Sequence, residues 1–397
     1  MPGFEIFSDE ERKEVMDVLE TGVLFRYNFE NNRNGHWKAA SFEKELCNKL
    51  DVGYSHLCSS GTAALNIALA TCGVGAGDEV IVPPFTFVAT IEAVLMAGAT
   101  PIFAEIDETL CLDPKDIEKK ISNKTRAVLL VHMCGSMAKI DEIQQLCEKN
   151  KIMLIEDACQ SVGGRFKGKA LGSFGSMGCF SFDYVKTITC GEGGAVITND
   201  EKLYTDAQAF ADHGHDHLGA DRGQDKHPIL GYNFRISELN AAVGLAQLRK
   251  LDRILQTQRN LKGIYKNILS ECPSISFRTV PDPDGDTSTF LSILLPDEDK
   301  VRQSLKLMKE SNVAGAIYWY DNNWHFVRHW DHLKTLKWPA GLTLSAMNVS
   351  YDYQNILVPI SDNIMSRALS FQIKLSDTEA DVTKHANQLK QIFDQIS

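Results

Sequence analysis

The stretch Ile152-Met153-Leu154-Ile155-Glu156-Asp157 joins a short apolar run to two carboxylates, and a helical pattern over Ile140–Asn150 precedes it. The same order of helix and then strand recurs upstream, at Thr62–Cys72 and Glu79–Val82, at Thr86–Ala97 and Pro101–Ile106, and at Pro114–Ile121 and Ala127–His132. Short continuous runs rich in Val, Ile and Leu are typical of strands that are buried on both faces of a parallel sheet. The alternation therefore predicts an α/β domain with a large, mostly parallel, doubly wound sheet.

The rest of the chain predicts additions to this sheet and a second domain. The predicted elements beyond Asp157 are two strands, a long helical pattern and a further strand, at Gly178–Phe182, Gly194–Thr198, Ser237–Leu269 and Phe290–Leu295. The proline-rich and glycine-containing stretch 281–286 interrupts the pattern. We expect a large domain over residues 1–250 and a smaller C-terminal α+β domain over residues 251–397.

Composition narrows the class of protein. The chain has 397 residues, a formal net charge of −11 and 44% hydrophobic residues. The negative charge disfavours nucleic acid and anionic membrane surfaces as partners. The longest apolar runs, such as 127–133, are too short to span a bilayer, and the first residues lack the pattern of a secretory signal. None of the ten cysteines forms a Cys-x-x-Cys pair, which favours reduced thiols in the cytoplasm over zinc sites or disulfides.

Lys186 is the main candidate for covalent chemistry. It ends the stretch Ser181-Phe182-Asp183-Tyr184-Val185-Lys186, and Gly191-Glu192-Gly193-Gly194 follows. A lone lysine is usually a solvated surface residue, but the apolar strand before it and the glycine-rich turn after it favour a site. Asp157 lies at the carboxyl end of a predicted strand, where ligands bind in open α/β sheets. An amine for the cofactor aldehyde and an acid for its pyridine nitrogen are what pyridoxal 5′-phosphate (PLP) requires.

Other polar and aromatic residues complete the predicted PLP site. Ser60-Gly61-Thr62 begins a helix, whose free N–H groups and partial positive charge suit a phosphate. Phe87 is expected to stack on the pyridine ring, Gln160 to hydrogen-bond the ring oxygen, and Ser181 to add a phosphate contact. Each of these residues alone has an ordinary explanation as a helix cap or a core residue. Their occurrence together in this order is much more specific.

This pattern resembles the DegT/StrS-type sugar aminotransferases over residues 5–395, most strongly over 55–250. The resemblance implies the fold-type-I PLP-dependent architecture. It assigns the phosphate contacts to Ser60, Gly61, Thr62 and Ser181, the ring contacts to Phe87, Asp157 and Gln160, and the covalent link to Lys186. The family segment Asn-x-Arg-x-Ser-Glu corresponds here to the stretch that begins at Asn233. By resemblance, Asn233 reaches the cofactor phosphate of the other subunit, which implies a homodimer with shared active sites.

Two positions refine what the resemblance implies. The family often has histidine where this chain has Asp183, so an acidic side chain near the cofactor alters what the pocket accepts. The sugar 3-dehydratases of the family carry histidine at the position of Lys186. The retained lysine therefore favours transamination over deoxygenation.

Four stretches, 26–29, 131–137, 212–217 and 319–325, are more particular than the family pattern. Together they resemble those members that aminate the C8 aldehyde of an oxidised octulosonate for lipopolysaccharide, with glutamate as the amino donor. Both substrates would then carry a carboxylate, which arginine binds through two parallel hydrogen bonds. Arg26, Arg222 and Arg328 are candidates, and the sequence does not choose between them.

Two features of these stretches have alternative interpretations. His213, His215 and His217 alternate along the chain, as ligands of a metal could, but their acidic and glycine neighbours favour a polar loop that touches a hydroxylated sugar. No metal is therefore predicted. The aromatic residues of the 319–325 stretch form either core packing or a wall against which the sugar stacks, and we favour a pocket wall for part of them.

Two other functions stay open at this point. A nucleotide-sugar aminotransferase of the same family would need basic groups in the pocket for the phosphates. A non-catalytic PLP-fold regulatory or binding protein is disfavoured because Asp157, Gln160 and Lys186 are all present. No appended DNA-binding module is visible either.

Overall fold

A seven-stranded sheet forms the centre of the computed structural model, which describes residues 3–219, 221–340 and 351–396. The first nine strands are β1 (Tyr54–Cys58), β2 (Glu79–Val82), β3 (Thr100–Phe103), β4 (Thr125–Val131), β5 (Met153–Asp157), β6 (Arg165–Phe166), β7 (Lys169–Ala170), β8 (Met177–Ser181) and β9 (Gly194–Thr198). The sheet order is β1-β9-β8-β5-β4-β2-β3, while β6 and β7 form a separate hairpin. From β3 to β8 neighbouring strands are parallel, and β9 runs antiparallel to β8 and β1. The predicted mostly parallel sheet is confirmed.

Helices cover both faces of this sheet. Up to residue 269 they are α1 (Asp9–Thr21), α2 (Lys38–Leu50), α3 (Gly61–Thr71), α4 (Ala89–Met96), α5 (Pro114–Lys120), α6 (Ile140–Asn150), α7 (Glu201–Ala211), α8 (Glu238–Arg249) and α9 (Leu251–Leu269). Val80 and Val82 of β2 pack in one core cluster with α3, α4 and α7. Ile81, between them, packs in another cluster with α5 and α6. Strands buried on both faces explain why the sequence showed continuous apolar runs instead of alternation.

A second, antiparallel sheet lies in the later part of the chain. Its order is β10 (Ser276–Phe277), β11 (Phe290–Leu294), β13 (Ala368–Gln372) and β12 (Ala316–Ile317). The remaining helices among the described residues are α10 (Glu298–Glu310), α11 (Asp331–Thr335), α12 (Pro359–Ser366) and α13 (Glu379–Gln395). The smaller α+β part is thus present. The domain boundary near residue 250 stays a prediction. Helix α9 crosses it, because its Leu251 packs in a core cluster with residues of the large sheet and its Leu269 packs in a cluster with residues of the second sheet.

Three local predictions need correction. Helix α2 and strand β1 were not predicted, although Phe42, Leu46 and Leu50 recur every four residues and are buried. The helix predicted from Thr86 begins only at Ala89, because the N–H groups of Thr86 and Val88 donate to carbonyls of residues 325 and 324. The single helical pattern over 237–269 is two helices, which meet at Lys250.

Two further features concern the class of protein. Among the helices of the described ranges, none combines the length and apolar character that crossing a membrane requires. All ten cysteines carry free thiols, and most of them are buried.

Candidate active site

A cavity of about 360 Å³ opens at the carboxyl ends of the parallel strands, between the large sheet and the second sheet. Eight of the nine predicted site residues line it, namely Ser60, Gly61, Thr62, Phe87, Asp157, Gln160, Ser181 and Lys186. Residues from the later part of the chain close the other side, among them Phe290, Ile317, Trp319, His325 and Gln372. The fold therefore brings together residues from four separate segments at the ends of strands of the large sheet and places a second wall opposite them.

The beginning of α3 forms one end of the cavity. Ser60 caps this helix, since its Oγ accepts a hydrogen bond from the N–H of Ala63 at 3.0 Å. Within the described part of the chain, the N–H groups of Gly61 and Thr62 have no acceptor. A Cβ built on Gly61 would lie only 2.7 Å from the Cβ of Ser181. Glycine at this position thus lets α3 begin in close contact with Ser181, beside two unpaired donors and the partial positive charge of a helix end, which suit an anion.

Asp157 is the last residue of β5, and only 5% of it is exposed. Its Oδ2 accepts a hydrogen bond from Oγ1 of Thr90 at 3.0 Å, and its Oδ1 accepts one from the N–H of Cys159 at 3.1 Å. Both oxygens are therefore fixed in position. A carboxylate held in this way can face a cationic ring nitrogen without rotating away.

A buried network behind Asp157 holds the end of β5 in place. The Glu156 carboxylate accepts hydrogen bonds from the N–H groups of Gly172, Phe174 and Gly175, at 2.8, 2.6 and 2.7 Å. It also lies 2.9 Å from Nε2 of His132 on the neighbouring strand. Because this carboxylate points into the protein, the next side chain, Asp157, points to the cavity. The sequence showed the Glu-Asp pair but not which of its members would face the ligand.

Lys186 lies in the loop after β8, half-buried at the cavity wall. Its backbone is held at both ends, because its N–H donates to the carbonyl of Asp183 and its carbonyl accepts from the N–H of Gly3, each at 3.0 Å. Among the described residues, its Nζ has no hydrogen-bond or ion-pair partner. Gly191, with φ of 82°, allows the turn that returns the chain to β9. The amine is thus free for chemistry while its backbone is fixed.

Aromatic rings line part of the cavity wall. Phe87 stacks against Trp324 with ring centroids 6.1 Å apart and planes 11° apart. His325 lies 5.5 Å from Phe87 and 4.6 Å from Trp319, and its Nδ1 is 3.0 Å from Oδ1 of Asn322. Burial, aided by the positive charge of Lys186, lowers the pKa of His325 to about 4. His325 is therefore a neutral site residue that was not predicted individually, although part of the stretch 319–325 was expected to form a pocket wall.

Asn233, the ninth predicted residue, does not line the cavity. It is exposed and forms an isolated bridge with Asp212, whose buried carboxylate binds Arg222 and Arg235. Leu230, three residues before Asn233, is 93% exposed and adds an apolar side chain to this surface. Asn233 thus adds nothing to the cavity wall of the single chain, and its predicted contact with the phosphate of a second subunit stays a prediction.

The three arginines considered for a substrate carboxylate are all bound to carboxylates of the chain itself. Arg26 is buried and pairs with Glu43 at 2.6 Å. Arg328 forms a two-point contact with Asp362, outside the cavity. Arg222 binds Asp212 in the same two-point manner. None of them lines the cavity of the single chain.

Two histidines of the 212–217 stretch also have side-chain partners within the chain. Nδ1 of His215 lies 3.1 Å from a carboxylate oxygen of Asp225. His217 stacks on Tyr27, with ring centroids 4.6 Å apart. Neither histidine lines the cavity, so a contact of this loop with the substrate of the same chain is not seen.

The residues of the cavity fit PLP. The unpaired N–H groups at the start of α3 and the Ser181 hydroxyl suit its phosphate, the fixed carboxylate of Asp157 suits its pyridine nitrogen, and the Phe87 ring suits its face. When bound, PLP supplies an electron sink for a carbanion at the substrate carbon. Any larger side chain at position 61 would collide with Ser181, so glycine keeps the start of α3 and the Ser181 hydroxyl side by side.

Comparisons with known proteins agree with this geometry. The model of the DegT/DnrJ/EryC1/StrS aminotransferase family matches residues 6–389. GDP-perosamine synthase of Vibrio cholerae is 32% identical over 88% of this chain and 90% of its own length. The same enzyme of Escherichia coli O157:H7 is 42% identical, but the match covers 57% of this chain and 61% of that relative. The solved aminotransferase of Psychrobacter cryohalolentis has a TM-score of 0.81 and 25% identity, over 98% of each chain.

These matches confirm the predicted enzyme class, the fold and PLP as the cofactor. The family model alone covers nearly the whole chain, and the structural match extends over both sheets. The chain is thus a PLP-dependent sugar aminotransferase and belongs to the DegT/DnrJ/EryC1/StrS aminotransferase family.

Proposed function

We propose that this enzyme moves the amino group of glutamate to the C8 aldehyde of an oxidised 3-deoxy-D-manno-octulosonate. The product would be 8-amino-3,8-dideoxy-D-manno-octulosonate for lipopolysaccharide, made in the cytoplasm. The main support is that the 319–325 stretch, one of those that resemble the 8-amino-3,8-dideoxy-D-manno-octulosonate transaminase, contributes Trp319 and His325 to the cavity wall. Val131, from a second such stretch, lines the cavity as well.

The proposed roles of the site residues follow from their positions. Lys186 would link to the cofactor and, once released as an amine, carry the proton between the substrate carbon and the cofactor carbon. Asp157 would keep the pyridine nitrogen positive, with its two oxygens held by Thr90 and the N–H of Cys159. Gln160 would donate to the ring oxygen. Such a fixed arrangement stabilises developing charge without reorganisation.

The phosphate and the ring face would be held by the rest of the predicted set. Ser60, Gly61 and Thr62 offer the start of α3, Ser181 offers a hydroxyl, and Phe87 offers its ring. Asn233 would reach the phosphate of the partner subunit in a homodimer. This is consistent with its exposed position and with the apolar surface around it.

A homodimer would also supply the charge that two carboxylate substrates require. Among the described residues that line the cavity, Lys186 is the sole lysine or arginine. Arg222 is partly exposed and binds the carboxylate of Asp212. The backbone of Asp212 in turn forms the isolated bridge with Asn233. We therefore favour Arg222 of the partner subunit over Arg26 and Arg328 as the group that receives a substrate carboxylate.

A nucleotide-sugar aminotransferase is the second candidate. It is favoured by the similarity to the two GDP-perosamine synthases, whose names state a nucleotide-linked product. The scarcity of basic groups along the cavity of the single chain does not separate the two candidates, because a nucleotide diphosphate needs such groups just as two carboxylates do. A non-catalytic PLP-binding protein is disfavoured by the free amine of Lys186 beside the fixed Asp157.

An assay with a panel of acceptors tests the proposal. Purified enzyme is incubated with glutamate and either the C8-aldehyde octulosonate or a GDP-linked 4-keto sugar, and the 2-oxoglutarate formed is measured. We expect turnover with the octulosonate, and none in a Lys186→Ala variant. Turnover with the GDP-linked sugar alone would establish the second candidate. Spectroscopic binding of PLP without turnover of any sugar would support the non-catalytic one.

A further inference from the structure

Arg278 is a buried cation whose purpose is not explained by packing. It follows strand β10, only 6% of it is exposed, and none of the described carboxylates forms an ion pair with it. Its Nη1 donates to the carbonyl of Met133 at 2.9 Å, and its Nη2 donates to the carbonyl of Thr109. Its Nε has no partner within the described residues. A charge taken out of water without a counter-ion is costly, so such a residue is expected to do something that a neutral one cannot.

The turn that Arg278 holds has an unusual backbone. Cys134 adopts the left-handed conformation, with φ of 58°, and Gly135 follows it with φ of 70°. A residue other than glycine adopts this conformation only when its surroundings compensate. Here the surroundings do so, because Thr287 donates to the carbonyl of Gly135 at 2.6 Å and Thr289 donates to the carbonyl of Cys134 at 3.4 Å. All three carbonyls of the turn 133–135 thus accept hydrogen bonds from side chains that flank the second sheet.

The left-handed turn presents one N–H group to the active site. The N–H of Cys134 donates to Oε1 of Gln160 at 2.9 Å. Because an N–H group can bond only the oxygen of an amide, this contact fixes which end of the Gln160 side chain faces the turn. The NH₂ end consequently faces the cavity that Gln160 lines, and it has no acceptor among the described residues.

We propose that Arg278 is a positioning residue for the cofactor. It holds the 133–135 turn in the left-handed form, the turn fixes the amide of Gln160, and the amide NH₂ is thereby directed at the ring oxygen of PLP. The second sheet is in this way coupled to a single hydrogen bond at the cofactor. The inference rests on the cofactor role proposed for Gln160, and it does not depend on which sugar is the acceptor.

The coupling predicts that substitutions at the two positions are not additive. The test is a double-mutant cycle with Arg278→Met and Gln160→Ala in the full-length enzyme, read by PLP titration of the cofactor-free protein and by the pH midpoint of the visible band of bound PLP. We expect Arg278→Met to raise the dissociation constant of PLP about tenfold and to shift the midpoint in the same direction as Gln160→Ala. In the Gln160→Ala background, Arg278→Met should change the dissociation constant less than about twofold.

Control variants separate positioning from general stability. Arg165 also binds only backbone carbonyls, those of Gly168 and Lys49, and lies away from the cavity, so Arg165→Met should leave both readouts unchanged. Arg278→Lys keeps the charge and should recover part of the affinity. If Arg278→Met does not fold, Thr289→Val, which removes one donor to the turn and keeps the shape, should raise the dissociation constant about threefold with the same loss of effect in the Gln160→Ala background.

Additive effects of Arg278→Met and Gln160→Ala, or an unshifted visible band in Arg278→Met, would overturn the inference. The inference would also be overturned if Gln160→Ala altered neither the affinity for PLP nor the visible band. Failure of the octulosonate assay would leave these readouts unaffected. The acceptor proposal and the positioning inference can therefore fail separately.

Discussion

The hydroxyl of Thr90 donates a hydrogen bond to Oδ2 of Asp157 at 3.0 Å and so links the first turn of α4 to the end of β5. The other carboxylate oxygen is held by the N–H of Cys159. This link matters because the side chain of a strand-end aspartate is otherwise free to rotate toward solvent. The position of α4 in turn depends on residues 324 and 325, whose carbonyls bind the N–H groups that precede the helix.

Replacement of Thr90 with valine should weaken the interaction of Asp157 with the cofactor while the packing is kept. We expect kcat to fall about tenfold, because one hydrogen bond to a charged group is lost. Steady-state kinetics with glutamate measure this, with Thr205→Val as the control, since the Thr205 hydroxyl bonds only its own helix. Equal kcat values for Thr90→Val and wild type would show that the Asp157 carboxylate does not need this support.

Replacement of Gly61 with alanine should exclude the phosphate from the start of α3. The new methyl group would lie 2.7 Å from the Cβ of Ser181, so either the helix start or the strand must shift. We expect the dissociation constant of PLP to rise at least tenfold, measured by titration of the cofactor-free protein. Gly263→Ala is the control, because nothing lies within 4 Å of its built Cβ, and there a small gain in stability is expected.

Much of the fold follows from local sequence patterns. The apolar runs and helix signals predicted strands such as β2 and β9 and helix α6 with the bounds that the structure has. Helix α2 was missed because the polar stretch before it suggested an irregular loop, although Phe42 and Leu46 carry the helical spacing. The hairpin β6–β7 has only two residues in each strand, which is too short for a periodic signal.

The site was predictable only where one segment carries its own signal. Asp157, Lys186 and the start of α3 stand out because each follows or begins a regular element. His325 and Arg278 carry no such signal. His325 lines the cavity beside residues that are far away in the chain, and Arg278 contacts the distant turn at Met133. Asn233 lies outside the cavity of the single chain, so no property of its own segment could show where it acts.

The imidazole of His325 should make stability depend on pH. Its pKa is lowered from its ordinary 6.5 to about 4, mainly by burial. Unfolding therefore takes up a proton between these values, and the contribution to the free energy of unfolding is fully present above about pH 6.5 and falls toward pH 4. We expect a loss of about 3 kcal/mol over this range, measured by urea unfolding of the cofactor-free protein.

The matched variant for this effect is His325→Gln, which keeps a polar group and does not titrate. Its free energy of unfolding should lose about 3 kcal/mol less than that of the wild type as the pH falls. Identical pH dependence of the two proteins would contradict a buried, neutral His325.

Glu156 should be important for stability, because its carboxylate accepts three backbone hydrogen bonds in a fully buried position. In Glu156→Gln the amide NH₂ would face donors, which leaves buried N–H groups without an acceptor. We expect the free energy of unfolding to fall by about 2–4 kcal/mol in urea titrations. Glu148→Gln, at an exposed position on α6, should change it by less than about 0.5 kcal/mol.

The position of the covalent link is the most direct test of the whole account. The enzyme with bound PLP is reduced with borohydride, which fixes the cofactor permanently to the amine that holds it, and the digested protein is analysed by mass spectrometry. We predict that the label is found on Lys186 and is absent from a Lys186→Ala variant. A label on a different lysine of the wild-type enzyme would contradict the account.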